Sequence, residues 1–328
     1  MTTRCAAAMT CYLRRLQRRR TQADEIMLML RPSRHPTRYV IAGASLALLV
    51  LAGACTPSPR TTTLVSSRTA AKVPNVAPRV TAATPSRLLF DDEFNGSTLG
   101  AKWYPNRWFA TTCSAGATPG ESQYYTSSRV AVSGGYLGLT ARAPAFTCPE
   151  GTWSGTKPYS SGWVQTGGAK TDTGRVVKPG FTFRYGHVDV RFREPAGKGL
   201  WPAIWLAADG GPGAPQSYPW PPEIDLLESY GNPTTWSFNV HLAGSTNAGR
   251  TVVGPNTSTG FHTVSLDWRS SKISWSIDGR VAYTYSGPNI PSVPMYLIVN
   301  LATGGATGRT DATKLPATML VDWVRVRA

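Results

Sequence analysis

From Leu88 onward, apolar and polar residues alternate in short runs separated by turn residues. Val188-Asp189-Val190-Arg191-Phe192, Val264-Ser265-Leu266-Asp267-Trp268 and Ile273-Ser274-Trp275-Ser276-Ile277 each carry a period of two. That period places the apolar side chains on one face of a half-buried strand. Asp278-Gly279 then turns the chain toward Val281-Ala282-Tyr283, a hairpin signal. The runs from Met295 to Leu301 and from Met319 to Val326 read as later strands. No segment sustains a 3.6-residue period between helix caps. The pattern predicts an all-β chain, an antiparallel sandwich of two large sheets in one domain over residues 88–328.

One run breaks the alternation. Glu223-Ile224-Asp225-Leu226-Leu227-Glu228 sets three acids inside an apolar strand, between the turn signals Trp220-Pro221-Pro222 and Ser229-Tyr230-Gly231-Asn232. Buried carboxylates cost several kcal/mol unless they are paired or put to use. Glu223 and Asp225 share a face, but Glu228, five residues from Glu223, points the other way on a regular strand. One extra residue, a bulge around Leu226-Leu227, returns Glu228 to the same face while Ile224 and a leucine pack inward. Two carboxylates roughly 5–5.5 Å apart suit retaining glycoside hydrolysis, one as nucleophile and one as acid/base. A third between them can share a proton with the nucleophile. A solvated acidic strand edge accounts for Glu223 and Asp225 but leaves Glu228 unexplained. Calcium binding is the other alternative. The neighbouring Trp201, Trp205, Trp220 and Tyr230 favour a sugar.

The chain before residue 88 has a different character. Tyr39 to Ala54 is an uncharged apolar run, shorter than the ~20 residues of a spanning helix. Arg31, Arg34 and Arg38 precede it and Ala52-Gly53-Ala54 ends it, the layout of a signal peptide within residues 1–54. Met27 or Met29 would give that signal an ordinary length. Leu51-Ala52-Gly53-Ala54-Cys55 resembles a bacterial lipobox, which would make Cys55 a lipidated first residue; plain secretion and an uncleaved anchor are the alternatives. Residues 55–87, rich in Thr, Ser and Pro and free of aromatics, read as a tether. With Cys55 and the leader set aside, Cys113 and Cys148 remain, and in an exported chain a disulfide between them is expected. Two free buried thiols are the alternative.

The formal charge is +16, with nine Arg against two acids in residues 1–54 and 25 basic against 16 acidic side chains beyond. The later basic residues are scattered singly, which argues for a solvated surface and against nucleic-acid binding. Eleven Trp and thirteen Tyr are either core or stacking platforms.

Glu223-Ile224-Asp225-Leu226-Leu227-Glu228 resembles the active-site signature of glycoside hydrolase family 16, in the bulged form typical of laminarinase-like members. Phe90-Asp91-Asp92-Glu93-Phe94-Asn95-Gly96 resembles the family's first strand, and Glu121-Ser122-Gln123-Tyr124-Tyr125-Thr126 its Gln-Tyr-Tyr-Thr segment. Tyr185 to Arg191, Gly199 to Leu206, Phe261-His262-Thr263, Asn300 to Gly305 and Val321 to Val326 follow in the family's order. Trp163, where laminarinase-like members commonly carry Arg, and Pro222, where Gly is common, are departures that bear on substrate more than on mechanism.

The resemblance implies a β-jelly-roll whose concave sheet forms an open cleft for a linear polysaccharide. It implies Glu223 as nucleophile, Asp225 as its assistant and Glu228 as acid/base. It places Trp220 under the sugar at the cleavage point, and Trp201 and Trp205 along the cleft, though one of these could be core. His241 is expected beside the acid/base and Asn300 in the cleft. No cofactor is needed for catalysis, and Glu93 and Asp322 resemble ligands of a structural calcium.

The function expected is that of an exported, monomeric, retaining endo-β-1,3-glucanase whose partner is its polysaccharide, with the membrane reached only through a lipid or N-terminal anchor. A transglycosylase, a hydrolase of another β-glycan such as a β-galactan, and a non-catalytic sugar-binding jelly-roll are the alternatives. A Cys55→Ala variant should move from the membrane to the soluble fraction on cell fractionation; one that stays in the membrane refutes lipidation.

Overall fold

The alternating runs become two packed antiparallel sheets in the computed structural model, which describes residues 87–328 apart from 109, 111, 117, 150–153, 172, 212, 215–219 and 243–246. The expected leader, tether and lipidated Cys55 lie outside the described residues. The eight-stranded sheet runs Arg280–Tyr285, Ile273–Ile277, His262–Trp268, Gly186–Arg193, Ala317–Arg327, Tyr136–Ala141, Val130–Ser133, and Leu88–Asp92 pairs with the end of Ala317–Arg327. The six-stranded sheet runs Ala248–Val253, Thr235–His241, Glu223–Ser229, Leu200–Ala208, Met295–Thr303, Trp163–Gln165. This is the predicted jelly-roll sandwich.

Period-two patterning decides what faces inward. Val188, Val190 and Phe192 are fully buried while Asp189 and Arg191 between them are less so. They meet Leu206, Ile224, Phe238 and Val240 of the other sheet in one core cluster. Met295–Thr303 is buried at every position. Its second face is covered as well, because Tyr296, Ile298 and Ala302 pack with Tyr125, Trp163 and Ala207 in a separate cluster that Trp201 and Trp205 flank. The cleft therefore has an apolar floor of its own.

The tryptophans divide between the two roles that composition left open. Trp103, Trp163, Trp236, Trp268 and Trp275 are almost wholly buried. Each still places its indole N–H, on Asp92, Gln165, Glu194, the Pro291 carbonyl and the Asp225 carbonyl respectively. A buried donor left unmatched would cost about 1–3 kcal/mol. The disulfide forms as expected: Cys113 and Cys148, both buried, join across a sequence separation of 35. A loop of that length is worth about 4 kcal/mol in the chain-entropy account.

Glu93 and Asp322, the expected calcium ligands, each meet an arginine from a neighbouring strand. Glu93 Oε1 accepts from Arg325 Nε at 2.9 Å and Nη2 at 2.8 Å, and Asp322 accepts from Arg191. One oxygen of each carboxylate is thus matched by a guanidinium group. Among the described residues, the acids and histidines grouped closely enough to hold a metal are Glu223, Asp225 and His241.

One buried acid has an incomplete shell. Glu194, 2% exposed, takes Trp236 Nε1 at 3.2 Å and the Thr257 hydroxyl on Oε1, while Oε2 has no partner among the described residues. Burial pushes its pKa from 4.5 to about 7. Between these values the folded protein keeps a proton that the unfolded chain has released. The stability this contributes is full below 4.5 and falls by about 3 kcal/mol as pH rises through the window. Glu194→Gln should therefore gain thermal stability relative to the parent as pH rises from 5 to 7.5; parallel melting curves across that range would refute the assignment.

Candidate active site

The bulge is present where the spacing requires it. On one side, Ile204 pairs with Leu227 and Trp205 with Asp225, leaving Leu226 without a partner. On the other, the register shifts between Asp225 and Glu228. Ile224, Leu226 and Leu227 are all fully buried in the inter-sheet core, so both leucines pack inward rather than one. The Asp225 carbonyl, at the bulge, accepts from the indole of Trp275 at 2.8 Å, a fully buried residue of the other sheet. With the backbone held this way, Glu223, Asp225 and Glu228 all line one cleft of about 820 Å³.

Each acid has its own set of partners. Glu228 accepts from Trp201 Nε1 at 3.0 Å on one oxygen, and from Asn239 Nδ2 at 2.7 Å and the Tyr230 hydroxyl at 3.1 Å on the other. Glu223 accepts from Trp220 Nε1 at 3.0 Å. Asp225, almost fully buried, lies 3.1 Å from His241 Nε2, which is also 3.5 Å from Glu223. Burial, then the charge of Asp225, pushes Glu223 well above the usual carboxylate range. Burial, then Glu228, does the same to Asp225. Like charges this close raise one another's pKa, so the acids titrate as a coupled group. Burial also raises Tyr230, with the Glu228 charge adding to it, which keeps its hydroxyl a donor.

The expected site residues mostly converge. Trp201 and Trp205 are half-buried and both line the cleft, so neither is simply core. Trp220 is 61% exposed at the rim. Asn300 is buried in the floor, taking Trp205 Nε1 at 2.7 Å and donating to the Tyr125 hydroxyl at 3.0 Å. His241 departs from expectation. The antiparallel return pairs it with Glu223 and sets Ser237 opposite Glu228, so the imidazole sits at the nucleophile end rather than beside the acid/base. Asn239 was missed, although it stands two residues before His241 and so on the same face. Arg107 and Trp108 also line the cleft, from a loop with no local signal, as does Glu121, which opens the segment that resembles the family's Gln-Tyr-Tyr-Thr run.

Such a site can deliver one carboxylate to an electrophilic carbon while a second, hydrogen-bonded one gives and takes a proton. The family model for glycosyl hydrolases family 16 matches residues 145–325. Glucan endo-1,3-beta-glucosidase A1 of Niallia circulans is 33% identical over 278 residues, covering 73% of this chain but only 37% of that protein. A beta-glucanase of Rhodothermus marinus is 31% identical over 264 residues, covering 73% of this chain and 84% of the relative. The solved endo-beta-1,3-glucanase of Pyrococcus furiosus superposes with a TM-score of 0.61 at 29% identity, over 74% of this chain and 94% of that one.

The coupling of the acids is open to direct measurement. Removing the neighbouring charge with Asp225→Asn should lower the apparent pKa of Glu223, read by carboxyl-carbon NMR against pH. An unshifted titration would mean that burial alone sets it.

Proposed function

Since this chain belongs to family 16 of the glycosyl hydrolases, we propose that it cleaves internal bonds of a β-1,3-glucan with retention at the anomeric carbon. The observation that carries this reading is the bulge, which sets three carboxylates on one face of a cleft flanked by tryptophans. Glu223 attacks the anomeric carbon as Glu228 hands its proton to the departing glycosidic oxygen. Glu228, now a carboxylate, takes a proton from water, and that water displaces Glu223 from the sugar. Asp225 carries the shared proton, so that Glu223 can hold the negative charge it attacks with. Asn239, Tyr230 and Trp201 keep Glu228 oriented through both steps.

The open side of the cleft suits an internal stretch of polymer, and the exposed Trp220 offers a stacking face beside Glu223. The chemistry uses no cofactor. The protein acts outside the cytoplasm, a reading supported by the leader-like residues 1–54 and by the buried Cys113–Cys148 bond.

Glu223→Gln, close in size but unable to attack, should abolish reducing-sugar release from laminarin while leaving laminarin binding intact. A variant that still releases sugar would overturn the assignment.

A further inference from the structure

The cleft extends past the carboxylates toward the Trp163–Gln165 edge of the six-stranded sheet, three strands from Glu223–Ser229. At ~4.8 Å per strand that edge is about 14 Å away, beyond the sugar being cleaved. The loop ahead of Cys113 seats there against Gln165. Tyr104 pairs with the backbone of Gln165, and Gln165 Oε1 accepts the Trp108 backbone N–H at 3.1 Å and the Trp163 indole at 2.9 Å. Trp108 adopts φ +55°, a left-handed conformation that a bulky residue takes only where its surroundings impose it.

Over the Trp108 ring, 3.6 Å from its centroid, lies the guanidinium of Arg107. Both side chains line the cleft, and Arg107 is the only Arg or Lys among its described lining residues. It is 6% exposed, and its Nη1 donates to the Ala115 carbonyl at 3.1 Å. Its Nε has no partner among the described residues. Buried donors rarely go unmatched, and a water or a ligand hydroxyl brought against Arg107 would satisfy this one.

The neighbour that balances its charge is Glu121, 7% exposed. The Glu121 oxygens take the Thr118 N–H at 2.7 Å, the Gln123 amide at 2.6 Å and the Tyr125 hydroxyl at 3.1 Å. The same Tyr125 hydroxyl receives Asn300, which holds Trp205. A continuous set of hydrogen bonds thus runs from Glu121, the charge partner of Arg107, through Tyr125 and Asn300 to Trp205 in the cleft. Because a fixed anion stands beside the guanidinium, the pair favours a neutral, hydroxyl-rich ligand over an acidic one. The planar donor fork suits adjacent hydroxyl oxygens, and the indole suits the apolar face of a sugar ring.

We propose that Arg107, backed by Trp108 and Glu121, is a specificity-determining residue that grips the hydroxyls of a neutral glucosyl unit remote from the bond being cut, so that the protein discriminates long chains from short ones. The proposal rests on the glucan-hydrolase reading. Its test is the dependence of kcat and KM on chain length, using β-1,3-gluco-oligosaccharides of graded length and laminarin. Arg107→Met should raise KM about tenfold for the longest chains and leave the shortest cleaved oligosaccharide unchanged. Arg107→Lys, which keeps the charge but not the fork, should recover only part of the loss. A uniform change at every length, or none, overturns the proposal.

Should Arg107→Met fail to fold, Glu223→Gln with the loop intact serves instead. Its calorimetric affinity should step up once the oligosaccharide is long enough to reach Arg107, and a smooth series without a step overturns the assignment. Wild-type protein that cleaves no β-glucan would strike the glucan reading and this proposal together, whereas cleavage without length dependence strikes this proposal alone.

Discussion

The hydrogen bond from Trp275 to the Asp225 carbonyl, 2.8 Å long and wholly inside the sandwich, is the contact on which the acidic face depends. A bulge disrupts the ladder locally, and a carbonyl left unmatched in the core would oppose it. Trp275 answers from the opposite sheet. With that carbonyl satisfied, the strand can carry one extra residue, keep Leu226 and Leu227 both in the core, and still turn Glu228 to the side of Glu223 and Asp225. Sheet packing, backbone irregularity and chemistry are therefore one arrangement.

The same arrangement concentrates charge where solvent is scarce. Three carboxylates in one cleft would repel, and burial together with that repulsion raises Glu223 and Asp225 well above the usual carboxylate range. The surrounding donors make this tolerable: two indoles, an amide and a phenol, with the His241 imidazole beside Asp225. The aromatic side chains work twice over. Trp103, Trp163, Trp236, Trp268 and Trp275 fill the interior, while Trp108, Trp201, Trp205 and Trp220 line the cleft. Met295–Thr303, buried on both faces, lets an apolar floor lie under a polar site.

Features that were legible in the chain are those set by local periodicity. Val188 to Phe192 and Ile273 to Ile277 alternate as strands must, and the five-residue interval from Glu223 to Glu228 called for a bulge that is there. The pairing of Cys113 with Cys148 followed from there being no other cysteine in the body of the chain. Partners brought by strand register or by loops were less legible. His241 faces the nucleophile end because the turn at Gly231 to Thr234 sets where Thr235–His241 begins to pair. The arginines that Glu93 and Asp322 meet, Arg325 and Arg191, likewise come from neighbouring strands.

By itself, the sequence determined an all-β sandwich and the three acids on one strand, since a period of two and its interruption are properties of consecutive residues. Only the tertiary structure decided what each acid touches, and which tryptophans are core. It alone brought Arg107 and Glu121 to the far end of the cleft. Those pairings are made by residues far apart in the chain, as Asn300 and Tyr125 are, at a sequence separation of 175. No local spacing encodes such a contact; it follows from how the strands are ordered and how the loops are seated on Gln165.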